Sequence, residues 1–360
     1  MMRSGYGTRL WLLVLVALGF TIGATGAADG GLANFQDGGD RLANLQNDDG
    51  GWDWPLDDGD PTSGSAANII GPIGMGLSHA YTRTNDPNHL AALNGASGYL
   101  LAKSGTFTVS DGYLAGMLDN VLGGSAHTAH VKTNFFDKLT AGTYVSAFSG
   151  TTYDTDSYIA ALRDPAYGNT SGWSLGRGGI SADVCGAADT NKWVQATKDE
   201  IDELDSSASL EVLGLAGGLY GLAYLGEDFD PTSGSYASAS NLEDLADILA
   251  GYQISTGGWT KEDGDMTPNQ DEAVQETVYG ILALGEVGGY KPALWQAGRW
   301  LRSVQLGTGG WENIPGDGEN NQHTGEALWG LGSVPPIPEP GAAGLLLAGL
   351  ALRGLRRRRR

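Results

Sequence analysis

The sequence predicts an all-α protein assembled from repeated helical hairpins, and three observations carry that expectation. A seven-residue phrase, Gln-x3-Gly-Gly-Trp, occurs at residues 46–52, 253–259 and 305–311. Ahead of two of the copies, apolar residues recur at helical spacing (Leu242, Leu245, Leu249 and Tyr252; Leu294, Ala297, Leu301 and Val304), as in an amphipathic helix. Behind these two copies, after a polar, acidic loop, a second helical stretch follows that is richer in small residues: 272–284 and 324–331. Hairpins repeating about every 50 residues build a solenoid or a closed ring.

Each part of the phrase has a physical task. The glycine pair allows a left-handed residue where the helix ends, and the Gln amide can partner carbonyls left free there. The Trp ring then packs back over the turn. These turns resemble the QW motif of the α/α toroids, the group of squalene and terpenoid cyclases, protein prenyltransferases and related six-hairpin barrels. The resemblance is loose over residues 46–332 and good over 241–332. It implies an α/α toroid of up to six hairpins in inner and outer helix layers; it does not imply a reaction, because the motif is a clasp and one fold hosts many functions.

Along the chain, residues 29–46 read as the outer helix that closes the first turn, and 66–81 as a Gly- and Ala-rich inner helix. Pro87 starts an outer helix running to about Lys103, followed by a degenerate turn at 104–107 and an inner stretch at 113–122. Between 123 and 199 the pattern is weak: only Gly172-Trp173 echoes the turn, and His127-Thr128-Ala129-His130 reads as loop. A helix is expected over 199–225, its second half apolar nearly all round and so buried.

The two ends carry addresses. Residues 1–27 have Arg3 and Arg9, an apolar run over 10–20 and small residues after it, the layout of a secretory signal peptide. The run is shorter than a span of about 20 residues. Pro338-Glu339-Pro340, an apolar stretch over 341–352, and Arg353 with Arg356, Arg357, Arg358 and two further arginines resemble a PEP-CTERM sorting signal. That resemblance implies export, transient anchoring by the tail with its arginines on the cytoplasmic side, cleavage by an exosortase, and residence in the cell envelope or outside the cell. The expected domains are therefore a signal peptide (1–27), a toroid (28–334) and a sorting signal (335–360). The single cysteine excludes an internal disulfide framework.

Without its two ends the chain keeps 13 bases against 41 acids. Such a field repels nucleic acid and anionic polymers and favours cations or neutral substrates. Acids gather in the loops after the Gly-Gly-Trp turns, which share one end of a toroid. Asp57, Asp60, Asp263 and Asp265 are candidate calcium ligands, although solvated turns explain such residues as well. Carboxylates could also act as acid and base on a glycosidic bond. For that role the candidates are Asp154 and Asp156, a short D-x-D, together with Glu276 and Glu326, each four residues before a Gly on equivalent inner helices. The squalene-hopene cyclases use D-x-D-D, and Ser157 stands where the last Asp would be, which argues against triterpene cyclisation. Asp183, Cys185 and His323 resemble the zinc ligands of protein prenyltransferases in type, but their elements lie 138 residues apart, wider than in that family. Two functions follow: an envelope protein binding matrix polysaccharide without turnover, or a carbohydrate-active hydrolase or lyase. No complete catalytic signature decides between them.

Overall fold

The computed structural model describes residues 25–163, 170–206, 210–261 and 272–336. The chain divides into a compact unit of residues 35–334 and a terminal unit of residues 1–34 with 335–360; of the latter, little beyond the first half of one helix is described. The signal-peptide residues 1–24, Asp263, Asp265, Pro338, Glu339, Pro340, Arg356, Arg357 and Arg358 lie outside the described residues. No described helix is long and apolar enough to cross a membrane.

The helices are α1 (Thr25–Asn44), α2 (Ile70–Thr84), α3 (Pro87–Ala102), α4 (Asp111–Leu122), α5 (Ala126–Val131), which runs through a π turn into α6 (Asp137–Thr140), α7 (Thr155–Leu162), α8 (Ser171–Val184), α9 (Thr190–Glu203), α10 (Glu211–Tyr224), α11 (Leu242–Gly251), α12 (Val274–Val287), α13 (Lys291–Ser303) and α14 (Asn321–Ser333). The strands are two-residue antiparallel pairs, β1 (Tyr144–Val145) with β2 (Thr152–Tyr153) and β3 (Trp259–Thr260) with β4 (Glu272–Ala273).

Helices α2, α4, α8, α10, α12 and α14 each pack on the next, and α14 packs on α2, so the inner layer is a closed ring of six. The protein is an α/α toroid. The outer positions are filled by α1, α3, the group α5 to α7, α9, α11 and α13. Inner neighbours run parallel. A Cβ on Gly76 of α2 would lie 2.0 Å from the carbonyl of Gly325 near the start of α14, and one on Gly332 near the end of α14 would meet His79 one turn further along α2. Helices α8 and α10 approach as closely, at Gly176, Gly217 and Gly221. Gly176→Ala is therefore expected to destabilise by about 1–3 kcal/mol, in spite of alanine's better helix propensity, because its methyl would sit 2.2 Å from the Gly217 oxygen. Thermal denaturation of the variant checks this.

The three latches share one geometry. Trp52, Trp259 and Trp311 are fully buried, and their indole N–H groups donate to the carbonyls of Leu42, Leu249 and Leu301 at 2.8, 2.7 and 2.9 Å, ten residues back in each case. The glutamine reaches further than its own turn. Gln46 donates to Gly50 and to Ala92 of α3, both at 2.8 Å; Gln253 donates to Gly257 and to Ala293 of α13, at 2.8 and 2.9 Å. One amide thus ties the end of one outer helix to the side of the next. At the third latch, Gly309 packs on the Asp37 carbonyl of α1, which brings the last outer helix back to the first.

Several sequence expectations need correction. Residues 199–225 form two helices: α9 ends at Glu203 and α10 begins at Glu211, because the amphipathic outer helix and the all-round apolar inner one occupy different layers. His127 to His130 are helical within α5, with Asp119 accepting from the backbone N–H groups of His127 and Thr128 at its start. Gly172-Trp173 lies in the first turn of inner helix α8, and so is no latch. Between 123 and 163 one outer position is filled by short helices and a strand pair, which is why no clear hairpin pattern shows there.

Candidate functional site

The loops that follow the latches fasten the starts of the inner helices. After the third latch, the Asn313 carbonyl accepts from Val274 N at 2.9 Å and its side chain accepts from Gln275 N at 3.1 Å, at the first turn of α12. After the first latch, the Pro55 carbonyl accepts from Asn321 N at 2.8 Å and the Asp53 carbonyl accepts from the Asn321 amide at 3.0 Å, at the first turn of α14. Two adjacent inner helices are thereby set in register at the same rim.

From that register Glu276 of α12 and Glu326 of α14 are both fully buried. Gln275 donates to Glu326 across the helix pair at 3.0 Å, and Gln322 donates to it from one turn earlier, also at 3.0 Å. Among the described residues neither carboxyl oxygen of Glu276 has a hydrogen-bond partner on another residue. Burial pushes the Glu276 carboxyl up to about 7; Lys261 opposes this and the charge of Glu326 adds to it. Burial likewise pushes Glu326 up to about 7, against the two glutamine amides and the charge of Arg177. Two carboxyls that hold or release a proton near pH 7 are suited to act one as acid and the other as base. His323, at the start of α14, is driven down to about 4 by burial and by Lys261, so it is neutral at pH 7.

Deeper in the ring the wall is aromatic. Trp329, one turn beyond Glu326, meets Tyr113 of α4, Tyr220 of α10 and Tyr279 of α12, with centroids 5.2, 6.1 and 6.2 Å apart. Trp173 of α8 meets Tyr279 edge-on at 5.8 Å, and the Arg177 guanidinium lies 3.3 Å from the centre of the Trp173 ring. Five inner helices thus supply one ring each to a plug, and the carboxyl pair sits on the side of it nearer the helix N-termini. Half-buried Gln275, Gln322 and His323 lie nearer still to those ends.

The other sequence candidates do not join this group. Asp154 caps α7, accepting from Ser157 N at 2.8 Å, and Asp156 pairs with Lys192 at 2.8 Å on the surface; the D-x-D has a helix-start role, and Ser157 completes its capping box. Asp183 and Cys185 end α8, at the opposite rim from His323 at the start of α14, so the zinc trio is not brought together. The Cys185 thiol is also pushed up to about 12 by burial, which disfavours the thiolate a metal needs. Of the calcium set, Asp57 groups with Asp53 and Asp58, with ligand atoms within 4.8 Å of one another, whereas Asp60 accepts from Thr62 N and Oγ1 in an exposed turn.

Sequence reasoning missed Arg177, Trp173, Gln275 and Gln322. Trp173 and Arg177 are four apart, hence on one helix face, but their glycine-rich surroundings hide a buried helix.

No protein-family model and no curated protein sequence matches the chain. Among solved structures, a polysaccharide lyase is similar with a TM-score of 0.45 and 14% identity, over 74% of this chain and 89% of that one. The type II terpene cyclase MstE from Scytonema, solved with geranylgeranyl dihydroxybenzoate, is similar with a TM-score of 0.47 and 15% identity, over 85% of this chain and 97% of that one. The assignment of the toroid rests on the closed inner ring itself.

Proposed function

We propose that this protein hydrolyses a glycosidic bond in an uncharged glycan, with Glu276 and Glu326 as its acid and base. The observation that carries the reading is the pair of buried carboxyls, both pushed up to about 7, on adjacent inner helices. Trp173, the one half-buried ring of the plug, offers an aromatic surface for sugar stacking. The strongly acidic body disfavours an anionic polymer, which ranks hydrolysis of a neutral chain above elimination from a uronic acid. Trp54, 62% exposed on the loop fastened to the start of α14, stands at the same rim and is read as a stacking platform.

A second reading, glycan binding without turnover, is favoured by one observation: both carboxyls are shut off from solvent. A panel of neutral and uronic-acid glycans separates the readings. New reducing ends without ultraviolet-absorbing unsaturated products support hydrolysis; unsaturated products point to a lyase; retention without product on every glycan supports the binder. Trp54→Ala is expected to raise KM about tenfold, a loss on the order of 1 kcal/mol of stacking, with kcat little changed. Steady-state kinetics on the preferred glycan check it.

The same proposal places the protein outside the cytoplasmic membrane, exported by residues 1–27 and cut near Pro338-Glu339-Pro340 by an exosortase. Mass spectrometry of the product from an exosortase-bearing host tests this: a tail retained in wild type as in Glu339→Ala would refute it.

A further inference from the structure

We propose that Asp40, Asp86 and His89 form a site for a divalent transition metal of zinc type, joining α1 to α3 on the outer layer, away from the carboxyl pair. Asp40 lies in α1, Asp86 caps α3 and His89 is in the first turn of α3. One ligand atom from each falls within 4.8 Å of the others.

The proton accounting around His89 points to a cation. Thr84 Oγ1 lies 2.8 Å from the Ala80 carbonyl, which takes its only proton. At 3.0 Å from His89 Nδ1 the same oxygen must therefore accept, and Nδ1 carries the hydrogen. In the neutral ring Nε2 then presents a lone pair, and it faces Asp40 Oδ1 at 3.2 Å, an oxygen that can only accept. That contact is answered by a proton on Nε2, as in a His–Asp ion pair, or by a metal ion. A proton on Nε2 would satisfy Asp40 alone, whereas a divalent ion answers the imidazole and both carboxylates. The 3.2 Å separation is close to that of neighbouring ligands around a tetrahedral ion with bonds of about 2.0–2.1 Å.

The surroundings are built for the ring. The His89 side chain is fully buried, and a Cβ on Gly39 would lie 2.4 Å from it; α1 carries a glycine in mid-helix, where propensity disfavours it, at the place where the imidazole lies. The Gln36 amide donates to Asp40 at 3.1 Å and to Asp86 at 2.8 Å, and Thr84 fixes the tautomer, as outer partners of metal ligands do. Asp40 is 43% exposed, which leaves an approach for the ion and a place for a water. Imidazole with two carboxylates and no thiolate suits zinc better than calcium. The α3 dipole opposes a cation there, but only as a partial charge beside two full negative ones.

The full chain is stripped with chelator and titrated calorimetrically with Zn2+ alone, in excess Ca2+ to occupy the surface carboxylates, beside Asp86→Asn, which keeps the helix cap, and His89→Gln. One equivalent bound by wild type, weakened at least about tenfold in Asp86→Asn and accompanied by a rise in Tm, is the expected result. Should His89→Gln fail to fold, Asp86→Asn carries the test. Absence of zinc uptake, uptake unchanged by Asp86→Asn, or a doubly protonated His89 in nitrogen NMR spectra recorded with Zn2+ present would overturn the proposal.

Discussion

Glu276→Gln is expected to abolish glycan cleavage and, above pH 7, to make the protein more stable. Removing a positioned acid or base costs about 10²- to 10⁴-fold in rate, and the fold stays intact because amide and carboxyl share a shape. The stability effect follows from proton linkage. Below about pH 4.5 the carboxyl is protonated in both folded and unfolded chains, and its burial is tolerated. Between the unfolded value of 4.5 and the folded value of about 7 only the folded state holds the proton, so stability falls as pH rises. Above 7 the full penalty applies, on the order of 3 kcal/mol for a shift of that size. Glu326 behaves in the same direction. His323, depressed to about 4, has the opposite sign: its contribution is present above about 6.5 and is lost as pH falls through 4. Urea denaturation of wild type and Glu276→Gln at pH 5 and pH 8 checks the claim. A variant that gains nothing at pH 8 would mean that Glu276 is ionised and solvated in the folded protein, and the acid–base reading would go with it.

Trp259→Ala is expected to destabilise by about 3–5 kcal/mol, a large share of the 5–15 kcal/mol that holds a typical domain. The ring is fully buried, its N–H is committed to Leu249, and it covers Gly280 of α12, whose Cβ would lie 3.1 Å from it. Gln253→Ala removes less: two carbonyls lose a donor at the edge of solvent, about 1–2 kcal/mol together. The ordering of the two, read from urea midpoints at constant slope, is the test. Equal losses would show that the amide bridge between outer helices, and not the buried ring, closes the hairpin.

The repeated phrase was legible because its three parts are local. Helix end, left-handed glycine and returning tryptophan all fall within ten residues, so spacing alone reveals them. Helix α8 was illegible for the converse reason. Gly172 and Gly176 serve contacts with α10, forty residues away in sequence, and Gly178 packs on Trp193 of α9; without those partners they read as loop.

The sequence by itself determined the helical hairpins, their latches and the equivalence of Glu276 and Glu326 on successive inner helices. Only the tertiary structure decided that six inner helices close on themselves, that the D-x-D caps a helix, and that Glu276 and Glu326 are buried together while Asp183 and Cys185 stand at the far rim from His323. The physical reason is range: periodicity fixes which face of a helix is apolar, whereas burial, and with it the protonation of a carboxyl, depends on what the rest of the ring places against that face.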